Sequence, residues 1–442
     1  LNPNASLMKA FIKKSQDDMY PYNKLDIDFD TLIANETNST IKNMHTYFST
    51  VKPTKQNEYT GMFDGMNLVI VVAESWSPYA IDETHTPTLW NMAHTGWVFN
   101  NYYQPAWGVS TSDGEYSVLM GNVPKAGVNS MIRSKDCNNY WTMASTLSRQ
   151  GYLTLAFHNN TYSYYSRNLT HENLGYSKWL ALGNGLPITK TWPESDLEMI
   201  QVSTPYYIDS EEPFHVYYLT VSGHCHYNWG GNTMARRHKS VYADIDASEA
   251  VKAYKAANYE LELAMTELLA QLEEAGKADN TVIVISPDHY PYGLNDGAGL
   301  NTKDYIPELY GYNPDRNFEL YRSQLVIYNP AFAREHTEQV DKVCYSLDIL
   351  PTLLNLFGVD YDSRLFAGRD IFSDEEGFVL FRNYSWITDR GRYNASSGVY
   401  TPNEGYENDP SYVKAMSQQA KDRVAYSKYV LENNYYNILF GE

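Results

Sequence analysis

Ser110, Thr111 and Ser112 stand side by side in residues 108–120, GVSTSDGEYSVLM, with two carboxylates, Asp113 and Glu115, directly behind them. A small-residue turn, hydroxyl residues suited to an N-cap and Glu115 as a first-turn acid predict a helix that begins here. A hydroxyl at a helix N-terminus sits among free backbone N–H groups and at the positive end of the dipole, which suits a phosphoryl group. Such residues alone serve most often as a plain cap. What gives them chemical meaning is the set of groups that other segments bring to the same place.

Residues 66–75, MNLVIVVAES, form a continuous apolar run closed by Glu74, the pattern of a strand buried on both faces. An acid at the carboxyl end of a central strand lies where open α/β sheets hold their ligands. A second buried strand, 152–158, ends in His158, and Arg167 follows in a polar, aromatic loop. A third, 215–221, is followed by Ser222, Gly223 and His224, and a fourth, 281–286, by Asp288 and His289. Two strand-end histidines beside acids and a nucleophile candidate are harder to explain as structural groups than either histidine alone. Carboxylate oxygens and an imidazole suit a hard divalent ion such as Mn2+ or Mg2+, with zinc as a softer alternative. A hydroxyl added to such an ion loses its proton more readily, while the charge of a phosphoryl group is neutralised.

The elements needed to position these groups are readable in order. Thr86, Pro87 and Gly96 bracket a helix, and the residues 98–105 read as a short strand. Helices are expected over 140–150 and 247–276, the latter with Val251, Tyr254, Leu261, Met265, Leu268 and Leu272 on one face. A further strand within 323–332, a helix ending at Gly358, a hairpin over 378–395 and a polar helix from Pro410 complete the chain. Strands alternating with helices predict an α/β fold: a mostly parallel sheet with helices on both faces, plus a small C-terminal antiparallel sheet and helix. Residues 1–60 read as a linker or wrapping arm, 61–375 as the catalytic domain and 376–442 as a small C-terminal subdomain.

The chain has 442 residues, a formal net charge of −19, 43% hydrophobic and 14% aromatic content, and 40 tyrosines. A basic stripe for nucleic acid is missing, and electrostatic adhesion to an anionic bilayer is disfavoured. No apolar run approaches the roughly 18 to 20 residues that span a membrane. Cys137, Cys225 and Cys344 are scattered without metal spacing, and their odd number leaves at least one thiol unpaired.

Five ordered motifs resemble the extracellular catalytic domain of the lipoteichoic acid synthase family, within the alkaline phosphatase and sulfatase superfamily. VIVVAES resembles the strand ending in a metal-binding Glu, here Glu74, and STSDGEYS the motif with a nucleophilic Thr, here Thr111. FHNNTYSYYSRN resembles the segment whose His and Arg hold glycerol phosphate, here His158 and Arg167, with Tyr165 where the family often has Trp. LTVSGH resembles the strand bearing an active-site His, here His224, and NTVIVISPDHY the one bearing a metal-binding Asp-His pair, here Asp288 and His289. DILPTLLNLFG and GRDIF are similar to later landmarks of the superfamily. Departures are Pro287 for a usual Gly, Gly114 for a common Ala and His226 for a usual Pro.

The resemblance implies one Mn2+ or Mg2+ per chain on Glu74, Thr111, Asp288 and His289, with Thr111 and His224 catalytic and His158, Tyr165 and Arg167 holding substrate. It implies transfer of glycerol phosphate from phosphatidylglycerol, through a Thr-linked intermediate, to a polyglycerol-phosphate polymer or a glycolipid acceptor. Family members carry an N-terminal bundle of transmembrane helices. The expected place of this chain is therefore the outer face of a Gram-positive cell membrane, as an ectodomain. The alternative is a soluble sulfatase-like phosphodiesterase that uses the same Thr nucleophile with water as acceptor.

Overall fold

The structure is a computed structural model and describes residues 19–295 and 303–441. Its centre is a seven-stranded sheet: β1 (Asn67–Ala73), β2 (Leu153–Thr161), β3 (Lys178–Leu182), β4 (Gly185–Leu186), β5 (Phe214–Leu219), β6 (Thr281–Pro287) and β7 (Val326–Tyr328). The spatial order is β4-β3-β2-β5-β1-β6-β7. All pairings are parallel except that of β7 with β6. Every residue of β1 is buried, as its unbroken apolar run requires of a strand covered on both faces. Leu68, Ile70 and Val72 enter one hydrophobic core, and Val69, Val71 and Ala73 enter the other.

Helices fill both sides. On the first face lie α1 (Ser110–Met120) and α3 (Ile349–Leu356), and on the second lies α2 (Glu249–Glu274), capped by the Ser248 hydroxyl. The expected long helix is thus present, with all six residues of its apolar face buried. The single strand read over 98–105 is instead two short ones. Gly96–Phe99 pairs with Thr337–Val340, and Tyr102–Tyr103 pairs with Cys344–Tyr345. The hairpin region extends to a four-stranded antiparallel sheet, β8 (Phe378–Leu380), β9 (Trp386–Thr388), β10 (Gly391–Asn394) and β11 (Val399–Pro402). After it comes α4 (Pro410–Glu432), capped by Asp409.

Of the arm read over 1–60, residues 1–18 lie outside the described residues. The remainder is not a loose tether. Its helices Phe29–Asn35 and Ser39–Thr50 bury Phe29, Met44 and Phe48 in the first core. Tyr47 stacks on Tyr426 of α4 at 3.6 Å between ring centroids, and His45 Nδ1 lies 2.8 Å from the Tyr435 hydroxyl. The three cysteines are unpaired, and among the described residues no helix is long and apolar enough to cross a membrane.

Candidate active site

Parallel register makes the site. Ala73 of β1 pairs with Pro287 of β6, so Glu74 and Asp288 leave adjacent strand ends side by side. Ser75 then ties them together. Its N–H donates to Asp288 Oδ1 (2.8 Å), its hydroxyl donates to Glu74 Oε1 (2.8 Å), and its carbonyl accepts from the Tyr254 hydroxyl (2.9 Å). Holding both carboxylates from one residue places Ser75 in the left-handed region at φ 54°, a strain of the kind found where backbone geometry serves a site. The Glu74 N–H donates to Thr220 Oγ1 (3.0 Å), which fixes the start of this turn.

Ligand atoms of Glu74, Asp288 and His289 all lie within 4.8 Å of one another, and all three residues are buried. His289 Nε2 is 3.0 Å from Asp288 Oδ2 and 3.5 Å from Glu74 Oε1, yet neither Nε2 nor Oδ2 has a hydrogen-bond partner. His289 Nδ1 lies 2.9 Å from the Tyr290 carbonyl, and a proton on Nδ1 turns the Nε2 lone pair toward the carboxylates. Electron-rich atoms converging in a buried place without bonding one another fit a divalent cation between them. The charges make the same demand. Burial, then the neighbouring Asp288, pushes the Glu74 carboxyl up. Burial also presses upward on Asp288, but His289 holds it below its usual range. Burial presses His289 down, but Asp288 and Glu74 carry it up to about 9.

The hydroxyl motif starts a helix, as expected, but none of its hydroxyls caps it. The capping position is Val109, which makes no side-chain cap bond, while Asp113 reaches back from inside α1, its Oδ2 accepting the N–H groups of Gly108 (2.8 Å) and Val109 (2.6 Å). The three hydroxyls therefore lie within the first turn of α1 and point to different partners. Ser110 Oγ meets the Tyr292 hydroxyl (3.0 Å), Ser112 Oγ donates to Asn129 Oδ1 (3.0 Å), and Thr111 Oγ1 donates to Glu74 Oε2 (3.2 Å). Only Thr111, at the positive end of α1, reaches the carboxylate cluster. The helix comes close enough that a Cβ at Gly114 would sit 2.2 Å from the Asp288 carbonyl oxygen.

The remaining candidates gather around a second buried cluster. Arg167 is 2% exposed, and its fork is already engaged: Nε donates to both oxygens of Glu115 (3.3 and 3.0 Å) and Nη2 to Oε2 (2.7 Å). Nη1 makes only a 3.5 Å contact with the Tyr164 carbonyl and is the nitrogen left for another partner. His171 Nε2 (3.1 Å) and the Tyr217 hydroxyl (2.9 Å) complete the ring of partners around Glu115. Glu115 is therefore the counter-charge of Arg167, a role that its place 52 positions away in sequence does not betray. The Tyr165 ring lies 5.2 Å from the Arg167 guanidinium carbon. His158 Nδ1 bonds the Leu219 carbonyl (2.9 Å), and burial with the Arg167 charge pushes its imidazole down to about 3, so it is neutral.

His224 follows β5 on a loop held by buried polar groups. Asp196 accepts the N–H groups of Val221 (3.0 Å) and Ser222 (3.1 Å) and the Ser222 hydroxyl, and Asn232 Nδ2 donates to the carbonyls of Ser222 (3.0 Å) and His224 (2.8 Å). Burial presses its imidazole down, but bonding to Cys225 and the Glu74 charge carry it up to about 10. Ser75, Glu115, Asp196 and Asn232 hold this site together, and no spacing in the sequence singles them out.

The family model for sulfatases matches residues 66–359. Lipoteichoic acid synthase 2 of Bacillus subtilis is 26% identical over 388 residues, covering 85% of this chain and 58% of that protein. Lipoteichoic acid synthase of Staphylococcus saprophyticus is 25% identical over 425 residues, covering 91% and 62%. The chain thus spans a little over half the length of these curated relatives. Among solved structures, the lipoteichoic acid synthase LtaP from Listeria monocytogenes aligns with a TM-score of 0.72 at 21% identity, over 89% of this chain and 98% of that one. A protein of the alkaline phosphatase superfamily from Vibrio parahaemolyticus aligns with a TM-score of 0.64 at 18% identity, over 91% and 98%. At these identities the structural likeness speaks for the fold, and the family model covers well over half of the chain. The chain belongs to the sulfatase family, in the company of its lipoteichoic acid synthases.

Proposed function

We propose that this chain is the catalytic domain of a metal-dependent phosphoglycerol transferase that moves glycerol phosphate from phosphatidylglycerol, through a Thr111-linked intermediate, to a lipoteichoic acid-like polymer or a glycolipid. The observation that carries this reading is the Thr111 hydroxyl at 3.2 Å from Glu74, at a helix N-terminus, beside the buried Asp288 and His289. A divalent ion, Mn2+ or Mg2+, on Glu74, Thr111, Asp288 and His289 would supply Lewis-acid charge for the hydroxyl and the phosphoryl oxygens. Thr111 Oγ1 passes its proton to Glu74 Oε2, which already accepts a hydrogen bond from it, and forms the new bond to phosphorus as the bond from phosphorus to the diacylglycerol oxygen breaks. His224 gives its proton to that leaving oxygen, then takes one from the incoming glycerol hydroxyl as the Thr–phosphorus bond breaks and the Thr111 oxygen recovers its proton from Glu74. The neutral His158 accepts a hydrogen bond from a glycerol hydroxyl, and Arg167 Nη1, beside Tyr165, donates to the phosphate. The domain works at the outer face of the membrane, tethered by a segment outside this chain. That tether would counter the repulsion between a chain of net charge −19 and anionic lipid.

The test is incubation with labelled phosphatidylglycerol and Mn2+, followed by analysis of products and of the protein by mass spectrometry. Glycerophosphate on Thr111 with polymer growth is the expected result. An adduct on Ser110 or Ser112 would overturn the assignment of the nucleophile. Diacylglycerol release with water as sole acceptor would make the chain a phosphodiesterase.

A further inference from the structure

Beyond the far end of α1, a cavity of about 400 Å³ opens between the Ser39–Thr50 helix, α4 and the segment around Phe366. Asn122, two residues past the end of α1, lines it. The 11 residues of that helix separate it from the Glu74 cluster by about 16 Å at 1.5 Å per residue. Two guanidinium groups, Arg369 and Arg423, face this cavity.

Arg423 is 94% buried, with 6% relative exposure, and forms no ion pair among the described residues, although its charge counters part of the upward push of burial on the Asp348 carboxyl. Its Nη1 donates to the Tyr345 hydroxyl (3.2 Å), and its guanidinium carbon lies 4.4 Å from the centre of the Phe378 ring. Arg369 is partly enclosed, its side chain 14% exposed. Its Nη1 is spent on the carbonyls of Ser363, Phe366 and Gly368, while its buried Nε has no hydrogen-bond partner and lies 3.4 Å from Glu375. Burial and the neighbouring Arg423 both press the Arg369 guanidinium below its usual range. Of the two acids at the cavity, Glu375 is divided between Arg369 Nε (3.4 Å) and Lys52 (3.8 Å), and Asp422 accepts from Gln418 Nε2 (2.9 Å), so neither pairs with Arg423. Buried charges are ordinarily paired, and an arginine left without a counter-ion inside a net-negative chain calls for an anion from outside. Two planar forks match the charge and the oxygens of a phosphate group. Gln418, Gln419 and Thr50, also on the cavity wall, are suited to hydroxyls on the body that carries it.

We infer that this cavity is a second, non-catalytic site that binds a small phosphate-bearing molecule through Arg369 and Arg423 and thereby locks the N-terminal arm against α4. The site does not depend on the transferase reading.

Calorimetric titration and thermal melting of metal-free Thr111→Ala protein, with inorganic phosphate and separately with glycerol 3-phosphate, test it. One phosphate per chain and a rise in Tm are expected. Arg423→Gln should weaken binding at least tenfold. Gln419→Glu places a carboxylate one helical turn before Arg423, where it pairs favourably. That variant should melt higher than its parent without phosphate and gain nothing when phosphate is added. Tighter binding of glycerol 3-phosphate than of phosphate would mark a polyol body, and equal binding a site for the phosphate alone. If Arg423→Gln fails to fold, Gln419→Glu decides. A phosphate response undiminished in Gln419→Glu, or no phosphate binding by the parent protein, would overturn the inference.

Discussion

At Thr111 the difference between a cap and the proposed nucleophile comes down to where α1 begins. Because Val109 holds the capping position, the Thr111 hydroxyl lies inside the first turn and donates to Glu74. Thr111→Ala should therefore leave the fold intact, at a cost of about 1 kcal/mol for one hydrogen bond. It should abolish both turnover and the covalent adduct, read by mass spectrometry after exposure to phosphatidylglycerol. Turnover surviving in this variant would remove Thr111 from the reaction. Arg167 carries the opposite lesson. The sequence points to it as a phosphate ligand, yet most of its donors belong to Glu115, so it is structural as well. Glu115→Gln, which strips the counter-charge from a buried guanidinium, should cost about 3 to 5 kcal/mol in a denaturant melt. Burial presses the Glu115 carboxyl upward, but Arg167 and His171 hold it well below its ordinary value of 4.5. Its stabilising effect is accordingly complete above that unfolded value and is lost as pH falls below it. The melting temperature of Glu115→Gln should thus approach that of the parent as pH drops from 5 toward 2. A gap that stayed constant over that range would refute the charge pairing.

Among the elements, the buried strands were the most legible, because a strand covered on both faces must be apolar at every position. The runs ending at Glu74, His158 and Asp288 show this, with boundaries within a few residues. The long helix was legible for the matching reason: its apolar residues recur on one face. Less visible were features decided by neighbours. β7 runs antiparallel to β6 although nothing in VIY states a direction, and residues 98–105 divide because two different strands claim them. The helix cap was equally hard to see, since Ser and Thr are the usual caps while α1 begins one residue earlier, with Val109 at the capping position. Gly114 was legible only as a departure from its relatives. Its cause is the approach of α1 to β6, which leaves no room for a methyl group beside the Asp288 carbonyl. Gly114→Ala should push α1 and the Asp288 backbone apart and separate Thr111 from the carboxylates. Activity should fall at least tenfold with helix content unchanged by circular dichroism. Undiminished activity would show that the approach is not needed for catalysis.

On the scale of the whole molecule, the sheet collects like charges at one rim. Glu74 and Asp288 leave neighbouring strands in register, and the surrounding chain carries 53 acidic against 34 basic residues, so its field also favours cations there. Without a cation in the cluster, a proton on His289 offsets part of the negative charge, and a divalent ion held by Glu74, Asp288 and His289 would take over that role. An ion that binds the folded chain and not the unfolded one adds RT ln(1 + [L]/Kd), about 2.7 kcal/mol at one hundred times Kd. Mn2+ at saturation should therefore raise the melting temperature, and a chelator should reverse the rise. Asp288→Asn removes a charged ligand together with the carboxylate that His289 and the Ser75 N–H hold in its ionised form, so it should melt below the chelated parent and gain much less from Mn2+. The size of the Mn2+ response, rather than the melting temperature itself, separates ion binding from simple damage: a variant that was merely destabilised would keep the parent's Mn2+ shift. An equal Mn2+ response in the parent and in Asp288→Asn would place the ion elsewhere on the acidic surface and leave the cluster of Glu74, Asp288 and His289 without its proposed occupant.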